Sequence, residues 1–360
     1  MGFNGIHTEQ CVFVKNHKNQ TTFLLLYVDD FIVASTCKKD LEQTKAKLKE
    51  TYKMTDDGEI SEFLHMKIIY HRSKGTICFS QQKYTKELLD EYLEDYNIKR
   101  STPMVENWDK IKKTSDTSKS LPKDNKYRQI TGKLIYLANL TRPDITHAVS
   151  ILCGKNYAPT ERDLAGAQHL LQYLNNTKYY SLTTGGAPSA PIVFTDASYK
   201  RCQDTSRSHS GYVIMYGQGA VVWQSLKQKL VASSTCHAEY YALRLTCARI
   251  LWIRHLFEEL GMTILDPTVV YEDNEATRKV ALNNTNSKGT LDIHPYYHRS
   301  RELLAEKIIE IKYIPSADNI ADLLTKPTSK TTLGELRPRI GVRHSLNTKD
   351  NNVKGELAKG

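Results

Sequence analysis

Apolar positions along the chain come in two rhythms, short continuous runs and stripes at helical spacing, and the two alternate. Residues 11–14, 23–28 and 31–34 are apolar runs of strand length. Only Asp29 and Asp30 separate the last two, which predicts a tight hairpin turning on those aspartates. Residues 38–52 have helical spacing, with Leu41, Lys45, Leu48 and Tyr52 along one side. Residues 66–70 and 76–79 flank Ser73-Lys74-Gly75 and predict a second hairpin, and residues 84–93 are again helical. Further on, Ile130, Leu134, Leu137 and Ala138 make one helical stripe. Thr141-Arg142-Pro143-Asp144 stops that helix and starts the next, with proline near its first turn. Residues 164–174 predict a third helix in a stretch, 127–183, that reads as helical.

The last block is richer. Strands are predicted at 192–195, 211–216 and 220–223, then a long helix at 235–260. A strand at 268–271 leads into a helix near Asn274, and a further helix covers 296–305. A strand at 308–314 and a helix at 317–324 close the block. This order predicts a mixed sheet with helices on its faces. Two polar breaks separate the blocks. Residues 104–126, centred on Lys110-Ile111-Lys112-Lys113-Thr114-Ser115, read as a linker, and 183–191, with two glycines and two prolines, as a second break. From 343 to 360 the chain is polar and is expected to be disordered.

Composition narrows the class. With 40% hydrophobic and 25% charged residues the chain is neither disordered throughout nor a rod. No apolar run approaches the roughly 18 residues of a membrane span, and the N-terminus has no secretory pattern. Fifty Lys and Arg against 40 Asp and Glu leave a net charge of +10, which favours a polyanionic partner. The seven cysteines are scattered without a Cys-x-x-Cys pair, and read as free thiols in a reducing compartment.

Acidic residues of the last block fall at the ends of predicted elements. Asp196 closes the first strand, Glu239 lies in the first turns of the long helix, and Asp273 sits where the fourth strand meets a helix. Asp318 and Asp322 are four apart on one side of the last helix. Singly, each has a structural explanation as a strand end, cap or dipole partner. Together they are the oxygen donors that a hard divalent cation requires.

Long ordered motifs carry a resemblance. Thr195-Asp196-Ala197-Ser198, Ser208-His209-Ser210-Gly211-Tyr212 and Val222-Trp223-Gln224-Ser225-Leu226-Lys227-Gln228 are followed by Ala232-Ser233-Ser234-Thr235 and Ala238-Glu239-Tyr240. Glu272-Asp273-Asn274 and Tyr313-Ile314-Pro315-Ser316-Ala317-Asp318-Asn319-Ile320-Ala321-Asp322-Leu323-Leu324-Thr325-Lys326-Pro327 complete the series. The chain resembles the C-terminal part of the Pol polyprotein of copia-type LTR retrotransposons, and these motifs resemble its ribonuclease H domain. Upstream, Leu26-Tyr27-Val28-Asp29-Asp30 resembles the reverse-transcriptase palm motif. Gln81-Gln82-Lys83-Tyr84, Ser101-Thr102-Pro103-Met104, Tyr127-Arg128, Gly132-Lys133-Leu134-Ile135-Tyr136-Leu137 and Thr141-Arg142-Pro143-Asp144-Ile145 resemble the thumb and connection.

The resemblance implies an α/β and α+β multidomain chain, a truncated palm and thumb followed by a ribonuclease H-like mixed sheet with flanking helices. The implied divisions are a partial reverse transcriptase at 1–103, a linker at 104–126, a helical connection at 127–190, the ribonuclease H-like domain at 191–327 and a tail at 343–360. It further implies Asp196, Glu239, Asp273 and Asp322 as catalytic carboxylates holding Mg²⁺ or Mn²⁺. Asp196 would bridge two ions, Glu239 and Asp273 would complete one site and Asp322 the other, with Asp318 a solvated neighbour. Asp29 and Asp30 would be a polymerase remnant. A polymerase site needs a third aspartate, and residues 1–28 contain none, so the polymerase half is expected to be inactive alone.

The expected substrate is an RNA–DNA hybrid, with Lys227, Lys229, Arg201 and Arg207 as candidate phosphate contacts and other retroelement Pol chains as candidate partners. Ser198, Tyr199 and His237 depart from the family's usual residues, and the segment holding His294 and His298 is stretched. The expected location is cytoplasmic, in a virus-like particle, or nuclear, without membrane or secretion. The competing expectation is a catalytically inactive nucleic-acid-binding remnant of a degenerate retroelement.

Overall fold

Strand pairing in the first eighty residues divides between two separate sheets. The computed structural model describes the chain except residues 107, 109–118, 123, 188–189, 200–204, 283–298 and 346–360. Met1–Ser61 with Ala248–Leu265 forms one compact unit, and Glu62–Cys247 with Asp266–Gly360 the other.

In the first unit, β1 (Asn4–Gly5), β2 (Val12–His17), β3 (Gln20–Tyr27) and β4 (Asp30–Ser35) form an antiparallel meander in chain order. Tyr27 pairs with Asp30, so the hairpin turns on Val28 and Asp29, one residue earlier than the sequence suggested. Val28 takes a left-handed φ of 53°, a strained setting for a β-branched residue. Helix α1 (Lys38–Thr51) packs on β4 and buries Thr44 and Leu48. Asp40 ties it to the sheet by accepting from Lys15 Nζ and from Thr22 Oγ1.

The second unit opens with β5 (Glu62–Phe63), β6 (Met66–His71) and β7 (Thr76–Ser80), the last two being the predicted second hairpin. Then come α2 (Gln82–Tyr92), α3 (Tyr127–Leu140), α4 (Thr146–Cys153), α5 (Glu161–Asn176) and β8 (Tyr180–Gly185). Helix α5 starts at a capping box, Thr160 and Asp163 each accepting the other's backbone N–H. Strand β8 was not expected, because 127–183 reads as helical and the glycines after it as a break. It pairs with β7 on one side and with Val342–His344 on the other. The predicted linker is not wholly free of the core: Met104 is buried, and Trp108 and Leu121 pack against the core. Its residues 107, 109–118 and 123 lie outside the described ones.

The third sheet holds β9 (Ile192–Ser198), β10 (His209–Tyr216), β11 (Gly219–Lys227), β12 (Thr268–Glu272) and β13 (Ile309–Tyr313). Their order across the sheet is β11-β10-β9-β12-β13, antiparallel through β9 and parallel beyond it. Helices α6 (Thr235–Glu259), α7 (Glu275–Leu282) and α8 (Arg299–Ala305) connect these strands, and α6 begins where the Ser234 hydroxyl accepts the His237 N–H. The mixed sheet with flanking helices expected from the order of elements is thus present. The predicted helix at 317–324 is instead two 3₁₀ stretches, Ser316–Asp318 and Ile320–Leu324. Asn319 divides them, capping the second with its side chain and donating Nδ2 to the Thr195 carbonyl at 2.9 Å. Helix α9 (Lys330–Arg339) and β14 (Val342–His344) follow, neither of them expected, and the start of the predicted tail is therefore a strand. Residues 346–360 of that tail lie outside the described ones.

One hydrophobic core runs through the second unit, from Leu88 and Leu89 on α2 through Leu134, Leu137, Leu170 and Leu174 to Val213, Leu324 and Leu336. A charged clamp crosses it. Arg142 donates to both Asp144 oxygens (2.9 and 2.8 Å) and to Thr177, Tyr173 donates to Asp144 at 2.6 Å, and Arg337 of α9 donates to Tyr173 and Tyr180.

Candidate active site

Two neighbouring parallel strands set the first pair of carboxylates. Phe194 of β9 stands opposite Tyr271 of β12, and their rings stack at 4.9 Å. Two residues on from that pair come Asp196, still in β9, and Asp273, just past the end of β12, and their carboxylates lie close together. Glu239 enters from the first turns of α6, and Asp322 from the 3₁₀ stretch that lies on β10. Gly211 of β10 makes that approach possible: a Cβ there would stand 2.7 Å from both Leu324 Cβ and Thr325 Cγ2.

The four carboxylates named from sequence do converge, and a fifth joins them. One oxygen each from Asp196, Asp273 and Asp322 lies within 4.8 Å of the others, and the same holds for Glu239, Glu272 and Asp273. Asp273 is the shared member of the two groups. Glu272 was quoted in its motif but not singled out. Its signal is the strand alternation of β12, whose residues Thr268, Val270 and Glu272 are all buried. Asp318 stays outside the cluster, paired at the surface with Arg339.

Short side chains fix these groups. Thr325 Oγ1 donates to Asp196 Oδ2, and the Ser198 hydroxyl donates to the Thr325 carbonyl at 2.7 Å. Ser198 thus anchors the loop behind β9. Asn274 caps α7 by accepting the Thr277 N–H, while its own N–H donates to Glu272 Oε1 at 3.1 Å. Gln228, fully buried, donates to Ser210 and to the Ala238 carbonyl, pinning α6 beside the sheet. Lys326 lies 2.6 Å from Asp322 and is the cation of the cluster.

Burial dominates the electrostatics. It raises the Asp196 carboxyl despite Lys326 and Thr325, and raises Glu239 and Glu272 well above the usual carboxylate range, with neighbouring carboxylates adding to the effect. Burial, then repulsion from Asp196, pushes Asp322 up to about 7. Against its own burial, Lys326 is held protonated by Asp196 and Asp322. A sign follows for stability. The unfolded chain ionises Asp322 near its ordinary value of 3.8, and the folded chain only near 7, so the folded state binds more protons between those values. In EDTA the melting temperature of the unit is expected to fall as pH rises from about 5 to about 7.5, and added Mg²⁺ should remove that fall. A melting temperature that rises over this window in EDTA would contradict the buried, strained cluster.

The other residues singled out from sequence lie apart from this constellation. Lys227 ends β11 and Lys229 follows it, both exposed, and Arg207 is half-buried before β10. Arg201, His294 and His298 lie outside the described residues. His237 packs beside Ser233, its Nδ1 3.0 Å from the hydroxyl. Asp29 and Asp30 are exposed at their turn, next to Val28 at 79% exposure, and among the described residues neither belongs to a group of three metal-ligating side chains. The cysteines among the described residues are free thiols, and among those residues no helix is long and apolar enough to cross a membrane.

Residues 1–106 match the family described as reverse transcriptase (RNA-dependent DNA polymerase). The chain is 30% identical over 344 residues to the retrovirus-related Pol polyprotein from transposon TNT 1-94 of Nicotiana tabacum, covering 93% of this chain and 26% of that protein. It is 32% identical over 231 residues to an uncharacterized mitochondrial protein of Arabidopsis thaliana, covering 64% of this chain and 93% of that protein. Among solved structures, LC11-RNase H1 isolated from compost aligns at 18% identity and a TM-score of 0.28, over 38% of this chain and 92% of that one. The chain spans about a quarter of the length of the Pol polyproteins it matches.

Proposed function

The chain belongs to the copia-type retrotransposon Pol family, and from that premise we propose that it is a metal-dependent ribonuclease that hydrolyses the RNA strand of RNA–DNA hybrids. One observation carries the reading: buried carboxylates from four separate stretches of chain meet within a few ångströms, with no apolar packing role to explain them. The donor set fits Mg²⁺ or Mn²⁺, since every ligand is a hard oxygen, and buried oxygens of Glu239 and Glu272 have no hydrogen-bond partner.

Asp196, Glu239, Asp273 and Asp322 would hold the ions. A bound divalent cation would supply a water of lowered pKa and a positive charge for the departing 3′ oxygen. The chain's own part is positional. Thr325 orients the Asp196 carboxylate, Ser198 and Asn319 hold the 3₁₀ segment that presents Asp322, and the apolar core below keeps water from the inner carboxylates. Lys326, a third exposed, stands at the rim between the carboxylates and solvent, where it can meet a phosphate. Preference for RNA would rest on its 2′-hydroxyl, and grip on basic residues such as Lys227, Lys229 and Arg207.

The test is incubation of the purified chain with a labelled RNA–DNA hybrid, in Mg²⁺ and in EDTA. Metal-dependent loss of the RNA strand without primer extension supports the reading. Binding without cleavage by a folded chain leaves the nucleic-acid-binding remnant.

A further inference from the structure

Glu272 is the one member of the cluster that the family's set of four does not assign. It ends β12 at 0% exposure, and its neighbour Glu239 is 4% exposed. Glu272 Oε1 accepts the Asn274 N–H, but Glu272 Oε2 and Glu239 Oε2 are buried and accept nothing. Both face a third carboxylate, Asp273, within 4.8 Å. An unpaired carboxylate taken out of water is among the most unfavourable groups a protein can bury, and two such groups beside a half-buried third draw positive charge between them.

The two halves of the cluster meet that need differently. On the Asp196 and Asp322 side the Lys326 ammonium supplies a cation, 2.6 Å from Asp322. On the other side the charges acting most strongly on Glu239 and Glu272 are all negative. The cap of the helix that follows comes from Asn274, and Glu272 uses only Oε1 to hold that turn.

We propose that a hard divalent cation binds first and most tightly among Glu239, Glu272 and Asp273, with Glu272 a ligand in its own right. An ion at Asp196 and Asp322 is the weaker one, because it competes with Lys326. The proposal rests on reading this cluster as a metal centre, and gives the two places unequal affinity.

The experiment is titration of the metal-free full chain with Mn²⁺, free ion being read by electron paramagnetic resonance, without nucleic acid. The wild type is expected to bind one ion about tenfold or more tightly than the next. Glu272→Gln should lose the tight ion, its affinity falling about tenfold to a hundredfold, while Asp322→Asn keeps it. Glu272→Gln should also shrink the gain in melting temperature on adding Mn²⁺. Glu272→Met, of similar volume, repeats the test if the glutamine variant does not fold. Wild-type affinity in either folded Glu272 variant overturns the proposal, as does loss of the tight ion in Asp322→Asn. A chain that binds Mn²⁺ as described but leaves the hybrid intact sinks the nuclease reading and not this one.

Discussion

Asp196→Asn is expected to lower cleavage of an RNA–DNA hybrid at least about a thousandfold while the protein stays folded and still binds the hybrid. The size follows from position. Asp196 lies on the central strand of the sheet, within ligand distance of Asp273 and Asp322, and its carboxylate is aimed by the Thr325 hydroxyl. Asparagine has the same shape and keeps an oxygen for Thr325, so packing should survive. It lacks the charge that a divalent cation needs, and about 4 kcal/mol of lost transition-state stabilisation corresponds to that thousandfold. Binding should change little, since affinity for a polyanion comes from Lys and Arg and falls with salt. A second readout moves the opposite way: without metal the variant should melt higher than the wild type, because a buried charge has gone. Cleavage by Asp196→Asn at the wild-type rate would remove Asp196 from the chemistry and the proposed function with it.

The carboxylates stood near the ends of predicted elements, where each singly had a structural explanation, and the resemblance carried by the surrounding motifs singled out the four. Alternation and length mark β9, β12 and α6, and an acidic residue at the end of such an element is conspicuous. Glu272 was legible by the same alternation, but it stands beside Asp273, the acidic residue that the motif marks. Lys326 stood in the closing motif, but nothing in spacing says that a lysine four residues after Asp322 folds back onto it; the turn after the second 3₁₀ stretch does that. The two missing strands share one cause. Paired residues of strands β8 and β14 are 160 or more positions apart, from Val342 with Leu182 to His344 with Tyr180, and such non-local partners leave no local signature. Helix α9 contains Gly334 and Pro338, which read as breakers. The hairpin turn slipped by one residue because turn geometry, not the preference of aspartate for turns, sets the register, and it places Val28 at positive φ.

Arg142→Met is expected to destabilise the larger unit by about 3–5 kcal/mol, the range for removing one partner of a buried ion pair. Arg142 and Asp144 have side chains 3% and 0% exposed, so solvent cannot replace the lost partner. Burial opposes the charge of Asp144, but Arg142 outweighs it and holds this carboxyl below its usual range, with Arg337 assisting. Without Arg142 the same burial would act unopposed by its nearest cation, and Tyr173, which donates to Asp144, would lose the geometry of its bond. The clamp joins the end of α3, the end of α5 and, through Arg337, α9, so its loss should loosen the packing that supports the 3₁₀ segment and Asp322. Urea unfolding should show a lower midpoint, with hydrogen exchange in α3 and α5 rising together. The double variant Arg142→Met with Asp144→Leu should recover part of the loss, because no unpaired charge is left buried. A loss below about 1 kcal/mol in the single variant would mean that the apolar core, and not the clamp, holds these helices together.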